Sequence, residues 1–486
     1  MRGMSEREYD VVVIGAGAVG ENVADRTVQG GLRTVIVEAE LVGGECSYWA
    51  CMPSKALLRS AAAVRAARAV DGARQAVTGD IDVAAVLHRR NEITHDWSDE
   101  GQVQWLESAG IDLVRGHATF TGPRRLRVTD AAGTSTDLVA RHAVAVATGS
   151  AALLPDVPGL REIEPWTSRD ATSAQTVPTS LAIVGGGVVA AEMATAYAHF
   201  GTAVTMLVRS VLLGGTEPFA AELVAASLAE SGVDIRTGVD VVGARRRGTG
   251  AGHNGGATGA TLELSDGTRV HAEKVLVATG RMPRTTDLGL EAVDLAPGDW
   301  LDVDDTMLVR GTDWLYAVGD VNGRALLTHQ GKYQARAAGD AIAARAAGAA
   351  IDDRPWGTHV ATADHAHVPQ VTFTDPEIAS IGLTARAATD AGRRIRVLDY
   401  DLASVAGASV YADDYRGQAR AIVDEDRGVL IGATFVGPDV AELLHAATVA
   451  IVGEVPLARL WHAVPSYPTV SEVWLRWLEQ YGRPSA

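Results

Sequence analysis

The sequence predicts an α/β protein: two Rossmann-like dinucleotide-binding domains followed by a C-terminal α+β domain. Three observations carry this. A strand–glycine turn–helix–strand pattern opens the chain, a second copy starts near Leu181, and beyond Pro369 short alternating strands replace the glycine fingerprints. A chain of 486 residues is too long for one hydrophobic core, so two to four domains are expected.

The first copy reads Tyr9-Asp10-Val11-Val12-Val13-Ile14, a largely apolar run suited to a parallel strand buried on both faces. Gly15-Ala16-Gly17-Ala18-Val19-Gly20 follows and opens a helix to about Gln29, and Arg33 to Val37 forms the next strand, ending in Glu38. This is the dinucleotide fingerprint in its required context. Gly15 allows the tight turn, Gly17 lets the backbone approach a pyrophosphate, and Gly20 permits close helix–strand packing. Glu38 can accept hydrogen bonds from ribose hydroxyls.

Next comes Gly43-Gly44-Glu45-Cys46-Ser47-Tyr48-Trp49-Ala50-Cys51-Met52-Pro53-Ser54-Lys55, which holds both cysteines of the chain. Zinc sites normally want four Cys/His ligands, so no metal is expected. A structural disulfide closing so short a loop would stabilise a long chain little. Two thiols at a helix start favour redox chemistry, because the positive helix end stabilises thiolate. The plain alternative is two incidental buried cysteines.

Helices are expected over Ala56 to Val70 and within Ile81 to Ala109, and strands at Ile111 to Val114, Arg125 to Thr129 and Arg141 to Ala147. Pro155, Pro158 and Gly159 then break the chain, with a boundary near Pro165. The second copy runs through Leu181 to Val184, Gly185-Gly186-Gly187-Val188-Val189-Ala190, a helix carrying Glu192 to His199, and the strand Val204 to Val208. Lys274 to Gly280 echoes Ala143 to Gly149, each ending in Ala-Thr-Gly. Arg245 to Ala260 reads as a long hairpin loop. The second copy has Ala190 at the third glycine position and Arg209 where a ribose-binding acid would sit. A guanidinium can pair with a 2′-phosphate, so NADPH is favoured over NADH; the bland alternative is a solvated arginine.

Trp314 to Asp320 is expected as a strand ending in Gly-Asp, followed by a helix from about Thr328 to Ala346. Asp320 suits polyol hydroxyls of a ligand at the sheet edge, or a helix N-cap. Beyond Pro369, strands at Val371 to Thr374, Ile395 to Tyr400, Ala419 to Val423 and Val429 to Phe435 precede helices at Val440 to Val452 and Thr469 to Tyr481. The aromatics Trp461, Tyr467, Trp474 and Trp477 there suit a core or a subunit interface.

Composition excludes some partners. Apolar residues make up 47% and charged residues 21%, as in ordinary soluble proteins, and the net charge of −17 opposes nucleic acid and anionic membranes. An anionic cofactor in a local pocket remains compatible. Met1 to Asp10 is short and charged, with Met4 an alternative initiator, and no apolar run is long enough to span a bilayer. A cytoplasmic location is expected, where a cysteine pair is more often catalytic than structural.

With GAGAVG and Glu38, GGECSYWACMPSK, VAVATGS, GGGVVAAE, VLVATGRMPR, YAVGD, VPQVTFTDPEIASIGLT and YPTVSE in this order, the chain resembles the pyridine nucleotide–disulfide oxidoreductases. This flavoprotein family includes dihydrolipoamide dehydrogenase, glutathione reductase, mercuric reductase and soluble transhydrogenase. The resemblance covers nearly the whole chain. It implies an FAD domain split over residues 1–165 and 286–365, an NAD(P)H domain at 166–285 and a dimerisation domain at 366–486. It implies that Gly15, Gly17, Gly20, Glu38 and Asp320 hold FAD, while Gly185, Gly187 and Arg209 serve the nicotinamide nucleotide. Gly44, Lys55, Thr148, Gly149 and Gly280 complete the implied cofactor-binding set. Cys51 would lie against the isoalloxazine, Cys46 would attack or release substrate, and Lys55 and Glu192 would form an ion pair near the flavin N5. A cation there would stabilise the negative charge of reduced flavin.

One segment departs from the family pattern. Disulfide-reducing members carry His-Pro-Thr-x-x-Glu near the C-terminus, where the histidine is the acid–base supplied across the dimer and the glutamate orients it. Here the segment is Tyr467-Pro468-Thr469-Val470-Ser471-Glu472. A phenol, with an ordinary pKa of about 10, is a poor proton shuttle near neutral pH. His462 lies five residues earlier. The implied enzyme is a homodimer taking hydride from NAD(P)H and passing electrons through flavin and the Cys46/Cys51 pair to a small acceptor such as a quinone. A dihydrolipoamide-like disulfide, with His462 or water supplying protons, is the second reading. Exchange between nicotinamide nucleotides is the third, and a flavin-bound redox sensor is the reading from another class.

Overall fold

The computed structural model describes residues 6–247 and 259–483. These form two compact units. The first comprises Met1–Pro53, Asn91–Leu153 and Arg281–His365, and the second Ser54–Arg90, Leu154–Gly280 and Ala366–Ala486.

The first unit is built on β1 (Glu6–Ile14), whose last four residues are all buried. Helix α1 (Ala18–Gln29), β2 (Thr34–Glu38) and the short helix α2 (Gly44–Tyr48) follow, and helix α3 (Cys51–Arg68) begins here and continues into the second unit's residues. Then come β3 (Asp112–Arg115), β4 (His117–Gly122), β5 (Arg125–Thr129), β6 (Ser135–Val146) and β7 (Ser150–Ala152). The sheet runs β3-β2-β1-β6-β5-β4, with the strand Leu315–Ala317 also paired to β6. β1 pairs in parallel with β2 and β6, while β5 pairs antiparallel with both β4 and β6. The parallel centre is sealed by Val11, Val12, Val13, Val35, Ile36, Val144, Ala145 and Leu315, all at 0% exposure. Such two-sided burial is why these strands read as unbroken apolar runs.

The second unit holds three sheets. The parallel sheet orders Asp234–Thr237, Ala203–Val208, Ser180–Val184 and Lys274–Val277, with the helix Val188–His199 following its central strand. An antiparallel sheet joins Val241–Arg247, Gly259–Leu264 and Arg269–Ala272. The centre of the expected hairpin loop, residues 248–258, lies outside the described residues; the strands flanking it do pair antiparallel. The third sheet, Gln370–Thr372, Glu377–Gly382, Val429–Gly437, Gln418–Asp424 and Ile395–Asp401, is antiparallel throughout.

The expected α/β architecture with a C-terminal α+β portion is present. Among the elements not predicted are β4, the strands Asp234–Thr237, Arg269–Ala272 and Glu377–Gly382, and the helix Pro218–Glu230. Conversely, the strand expected over Trp314 to Asp320 is only Leu315–Ala317, because the chain turns into a short 3₁₀ segment at Gly319–Asn322. No helix among the described residues is long and apolar enough to cross a membrane.

The tightest constraint in the first unit is at Gly20, where an added Cβ would collide with the carbonyl oxygen of Gly15 and reach Ala147 Cβ at 3.4 Å. Gly20→Ala is expected to lower stability by about 1–3 kcal/mol, the usual cost of overpacking. Urea unfolding monitored by circular dichroism checks this.

Candidate active site

The glycine turn and the cysteine turn of the first unit are stitched together by backbone. The Gly43 N–H donates to Ala16 O at 2.7 Å, and Gly17 and Gly43 form an isolated β-bridge. A Cβ on Gly44 would stand 2.8 Å from Gly17 Cα, so two residues without side chains meet face to face. Glu38 closes this corner. Its carboxylate accepts the Ala16 N–H at 2.6 Å and the Glu40 N–H at 2.7 Å, while burial pushes its pKa up. Expected as a ribose acceptor, Glu38 also pins the turn, and a carboxylate has lone pairs to spare.

Cys46 sits within α2 and Cys51 is the first residue of α3. Both are thiols, neither fully buried. Cys51 Sγ lies 3.3 Å from Thr328 Oγ1, at the start of the helix Thr328–Ala346. The Cys46 thiol is pushed up, not down as a helix-start argument expects. Its hydrogen bond with Cys51 is the main cause, burial adds to it, and Thr328 and Lys332 pull the other way. Two adjoining sulfurs share one site, so the charge of one disfavours that of the other.

Around Asp320, also in this unit, Ser150 is the hub. Its hydroxyl donates to Asp320 Oδ2 at 2.5 Å and accepts from Arg281 Nε at 2.5 Å. Its carbonyl accepts from Arg281 Nη2 at 2.7 Å and Arg284 Nε at 3.2 Å. Arg284 also reaches Glu45, next to Cys46, at 3.1 Å. Thr148 and Gly149 hold the backbone of Arg284 through contacts of 2.8 and 3.1 Å. Asp320 is raised by burial, and the hydroxyl of Ser150 and the charge of Arg281 oppose that rise.

The residues fit FAD. A glycine turn whose backbone approaches without obstruction, an acid at the end of β2 and a half-buried acid after Leu315–Ala317 would provide pyrophosphate and polyol partners. A further acid, Glu21 in the first turn of α1, has an enclosed Oε1 with no hydrogen-bond partner among the described residues.

In the second unit, Gly185 and Gly280 adopt φ of +135° and +147°. A Cβ on Gly185 would collide with Ala278 O, as one on Gly15 would come 2.6 Å from Ala147 O in the first unit. Gly187 caps the helix Val188–His199, and Arg209 lies exposed just past the strand Ala203–Val208. Glu192, 3% exposed, accepts from Lys55 Nζ at 2.8 and 3.0 Å and from the Phe373 N–H at 3.0 Å. The Lys55 ammonium also lies 4.7 Å from the centre of the Phe373 ring. Tyr467 is 77% exposed, and His462 is exposed too. Glu472 is buried; it accepts from the Gly407 N–H at 3.3 Å and lies 3.8 Å from Arg476.

Sequence reasoning missed Glu21, Thr328, Lys332, Ser150, Arg281, Arg284 and Phe373. The i, i+4 spacing of Thr328 and Lys332 was legible as one helix face, but nothing local ties that face to the cysteines. Among the described residues, no group of three or more His, Cys, Asp or Glu side chains is placed to hold a metal ion.

Two outcomes follow from these charges. Lys55→Met leaves a buried carboxylate unpaired and should cost about 3 kcal/mol, with Lys55→Met/Glu192→Gln recovering most of it in denaturant titrations. Glu21 is raised from 4.5 to about 7 by burial, so its stabilising protonated form is fully present below pH 4.5 and lost as pH rises through about 7. Glu21→Gln should therefore raise the urea midpoint at about pH 8 and leave it nearly unchanged at about pH 4.5.

The chain matches known proteins over most of its length. Residues 9–343 match the family described as pyridine nucleotide-disulphide oxidoreductase, and residues 368–477 match its dimerisation domain. A mercuric reductase of Staphylococcus aureus is 30% identical over 96% of this chain and 81% of its own. A dihydrolipoyl dehydrogenase of Haloferax volcanii is 31% identical over 95% of this chain and 94% of its own. Among solved structures, the Cu(II) complex of the HOCl-induced flavoprotein disulfide reductase RclA from Escherichia coli superposes with a TM-score of 0.82 at 23% identity. It covers 98% of this chain and 100% of its own, a likeness of fold. The chain thus belongs to the pyridine nucleotide–disulfide oxidoreductases, FAD-dependent flavoenzymes that use NAD(P)H.

Proposed function

We propose that this enzyme takes hydride from NADPH and passes electrons through flavin and the Cys46/Cys51 pair to a small acceptor of the quinone type. The observation that carries this reading is Tyr467, an exposed phenol where the disulfide-reducing members place a histidine acid. A quinone does not require that histidine, because reduced flavin can deliver electrons to it directly. The exposed Arg209, where a ribose-binding acid would sit, supports NADPH.

In this reading the first unit holds FAD, with Gly17 and Gly44 admitting the pyrophosphate at a turn that Gly15 and Gly20 close, and Glu38 and Asp320 taking hydroxyls of the cofactor. The flavin would supply two-electron transfer between nicotinamide and thiols. Cys51, 3.3 Å from the Thr328 hydroxyl, serves as the flavin-side sulfur, and Cys46 as the exchanging one. Lys55, one turn beyond Cys51 on α3, supplies positive charge, and Glu192 fixes its direction. Gly185, Gly187, Arg209 and Gly280 in the second unit bind the nucleotide. A homodimer, supported by the dimerisation domain, and a cytoplasmic location, where a cysteine pair is more often catalytic than structural, complete the proposal.

A second reading, reduction of a dihydrolipoamide-like disulfide, is favoured by the hydrogen-bonded thiol pair itself. Steady-state turnover with NADH and NADPH against quinones and lipoamide separates the two. Quinone turnover with NADPH should exceed lipoamide turnover, and Tyr467→His should raise the latter at least tenfold. Lipoamide as the better wild-type substrate would reject the quinone reading. Anaerobic NADPH titration should give a long-wavelength charge-transfer band that Cys51→Ser abolishes.

A further inference from the structure

We propose that Gln334 and Asp364 are positioning residues for the flavin cofactor: together they set the turn that presents Asp320 to it. The inference rests on the reading that the first unit holds FAD and that Asp320 takes one of its hydroxyls.

Asp320 sits in the short 3₁₀ turn Gly319–Asn322, just past the strand Leu315–Ala317. A single side chain holds both ends of that turn. Gln334, at 0% exposure on the helix Thr328–Ala346, accepts the Gly319 N–H at 2.8 Å and the Asn322 side-chain amide at 2.9 Å on the same oxygen, Oε1. Asn322 extends the hold in both directions. Its Nδ2 also donates to Ala317 O at 3.0 Å, and its Oδ1 accepts the Arg324 N–H at 3.0 Å. Gly319 has a φ of +80°, and a Cβ there would stand 3.1 Å from the methyls of Val19 on α1, so the turn has little room to settle elsewhere.

What stands behind Gln334 decides which way its amide points. Its Nε2 donates to Asp364 Oδ2 at 2.9 Å. The Asp364 side chain is 1% exposed; Oδ1 accepts Gln330 Nε2 at 2.7 Å, and Oδ2 lies 3.3 Å from Arg324 Nε. Arg324 is held in turn by Asp305 at 2.7 Å. Gln330 and Gln334 are four residues apart on one helix face, so one carboxylate spans both. Burial pushes the Asp364 pKa up, and Gln330, Arg324, Gln334 and His365 oppose that rise. All of these residues belong to the first unit.

A buried acid with such partners adds little net stability. What it adds here is direction. With two donors in front and a carboxylate behind, the Gln334 oxygen must face the turn and its nitrogen Asp364. Without that carboxylate the amide is free to turn over, and its NH₂ would then meet the Gly319 N–H. The Asp320 turn would lose the one acceptor that joins its two ends.

The test measures FAD dissociation from the FAD-loaded enzyme by ultrafiltration and flavin absorbance. Asp320→Ala should weaken FAD roughly tenfold, the scale of one hydrogen bond to a charged group. Gln334→Glu keeps an acceptor toward the turn but sets a second carboxylate against Asp364, and should weaken FAD by a similar factor. Asp364→Asn should act in the same direction and carries the same comparisons where Gln334→Glu does not fold. The double variant Gln334→Glu/Asp364→Asn exchanges donor and acceptor between the two positions and should return FAD affinity close to wild type. In an Asp320→Ala background, Gln334→Glu or Asp364→Asn should add no further loss, because each acts through Asp320. Wild-type affinity in both single variants would overturn the proposal. So would a loss that the double variant does not recover, or one that adds in full to Asp320→Ala, either of which marks a general loosening of the unit. An Asp320→Ala enzyme holding FAD as tightly as wild type would overturn the reading of Asp320, and the proposal with it.

Discussion

The first unit depends on a contact between two stretches of naked backbone. Ala16-Gly17 follows β1, Gly43-Gly44 precedes the first cysteine, and a hydrogen bond of 2.7 Å with a Cα-scale approach joins them. No side chain can occupy that space, so the chemistry of the cysteine turn is placed by the geometry of the nucleotide turn. Glu38 ties the third corner by taking the Ala16 N–H. The redox pair and the dinucleotide fingerprint are therefore one construction, although nearly 30 residues separate Gly17 from Cys46 in sequence.

The second unit repeats the same steric device with a different outcome. Gly15 faces Ala147 O and Gly185 faces Ala278 O, each just before a Thr-Gly. In both, a glycine with positive φ lets the turn close over the carbonyl end of a neighbouring parallel strand. The third glycine position diverges. Gly20 cannot take a Cβ, because the Gly15 carbonyl is in the way, whereas Ala190 is accommodated and fully buried. The repeat is one of backbone closure, and the side chains at its edges are free to specialise, Glu38 in one copy and Arg209 in the other.

These features explain what could be read from the chain alone. Backbone-determined parts were legible: glycine turns, buried parallel strands and the Thr328–Ala346 helix leave periodic or positional signatures. Parts that depend on long-range pairing were not. Arg284 meets Glu45 across 239 positions, and Ser150 meets Asp320 across 170. Nothing in either local sequence marks such a partner. The helix-start argument for a ready thiolate at Cys46 failed for the same reason: it counted the helix end and omitted the second sulfur. Glu21 was illegible for a subtler reason. An acid in a helix's first turn is common and usually solvated, and only the packing of a second helix against it shows that this one is enclosed.

The tyrosine at 467 is where this chain departs from the family's disulfide reductases. Thiol chemistry needs a group that holds a proton near neutrality, and in this family's disulfide reductases a histidine does so from across a subunit boundary. Here the position carries an exposed phenol, and Glu472, the residue expected to orient it, is engaged with Gly407. In the first unit, by contrast, the Thr328 hydroxyl lies 3.3 Å from the Cys51 sulfur, and burial raises the Glu21 carboxyl to about 7. A carboxyl group in water could not serve, since it is fully ionised at neutral pH. Glu21 stands in the first turn of α1, two positions beyond Val19, the residue that meets Gly331, and burial raises its carboxyl from the ordinary 4.5 to about 7.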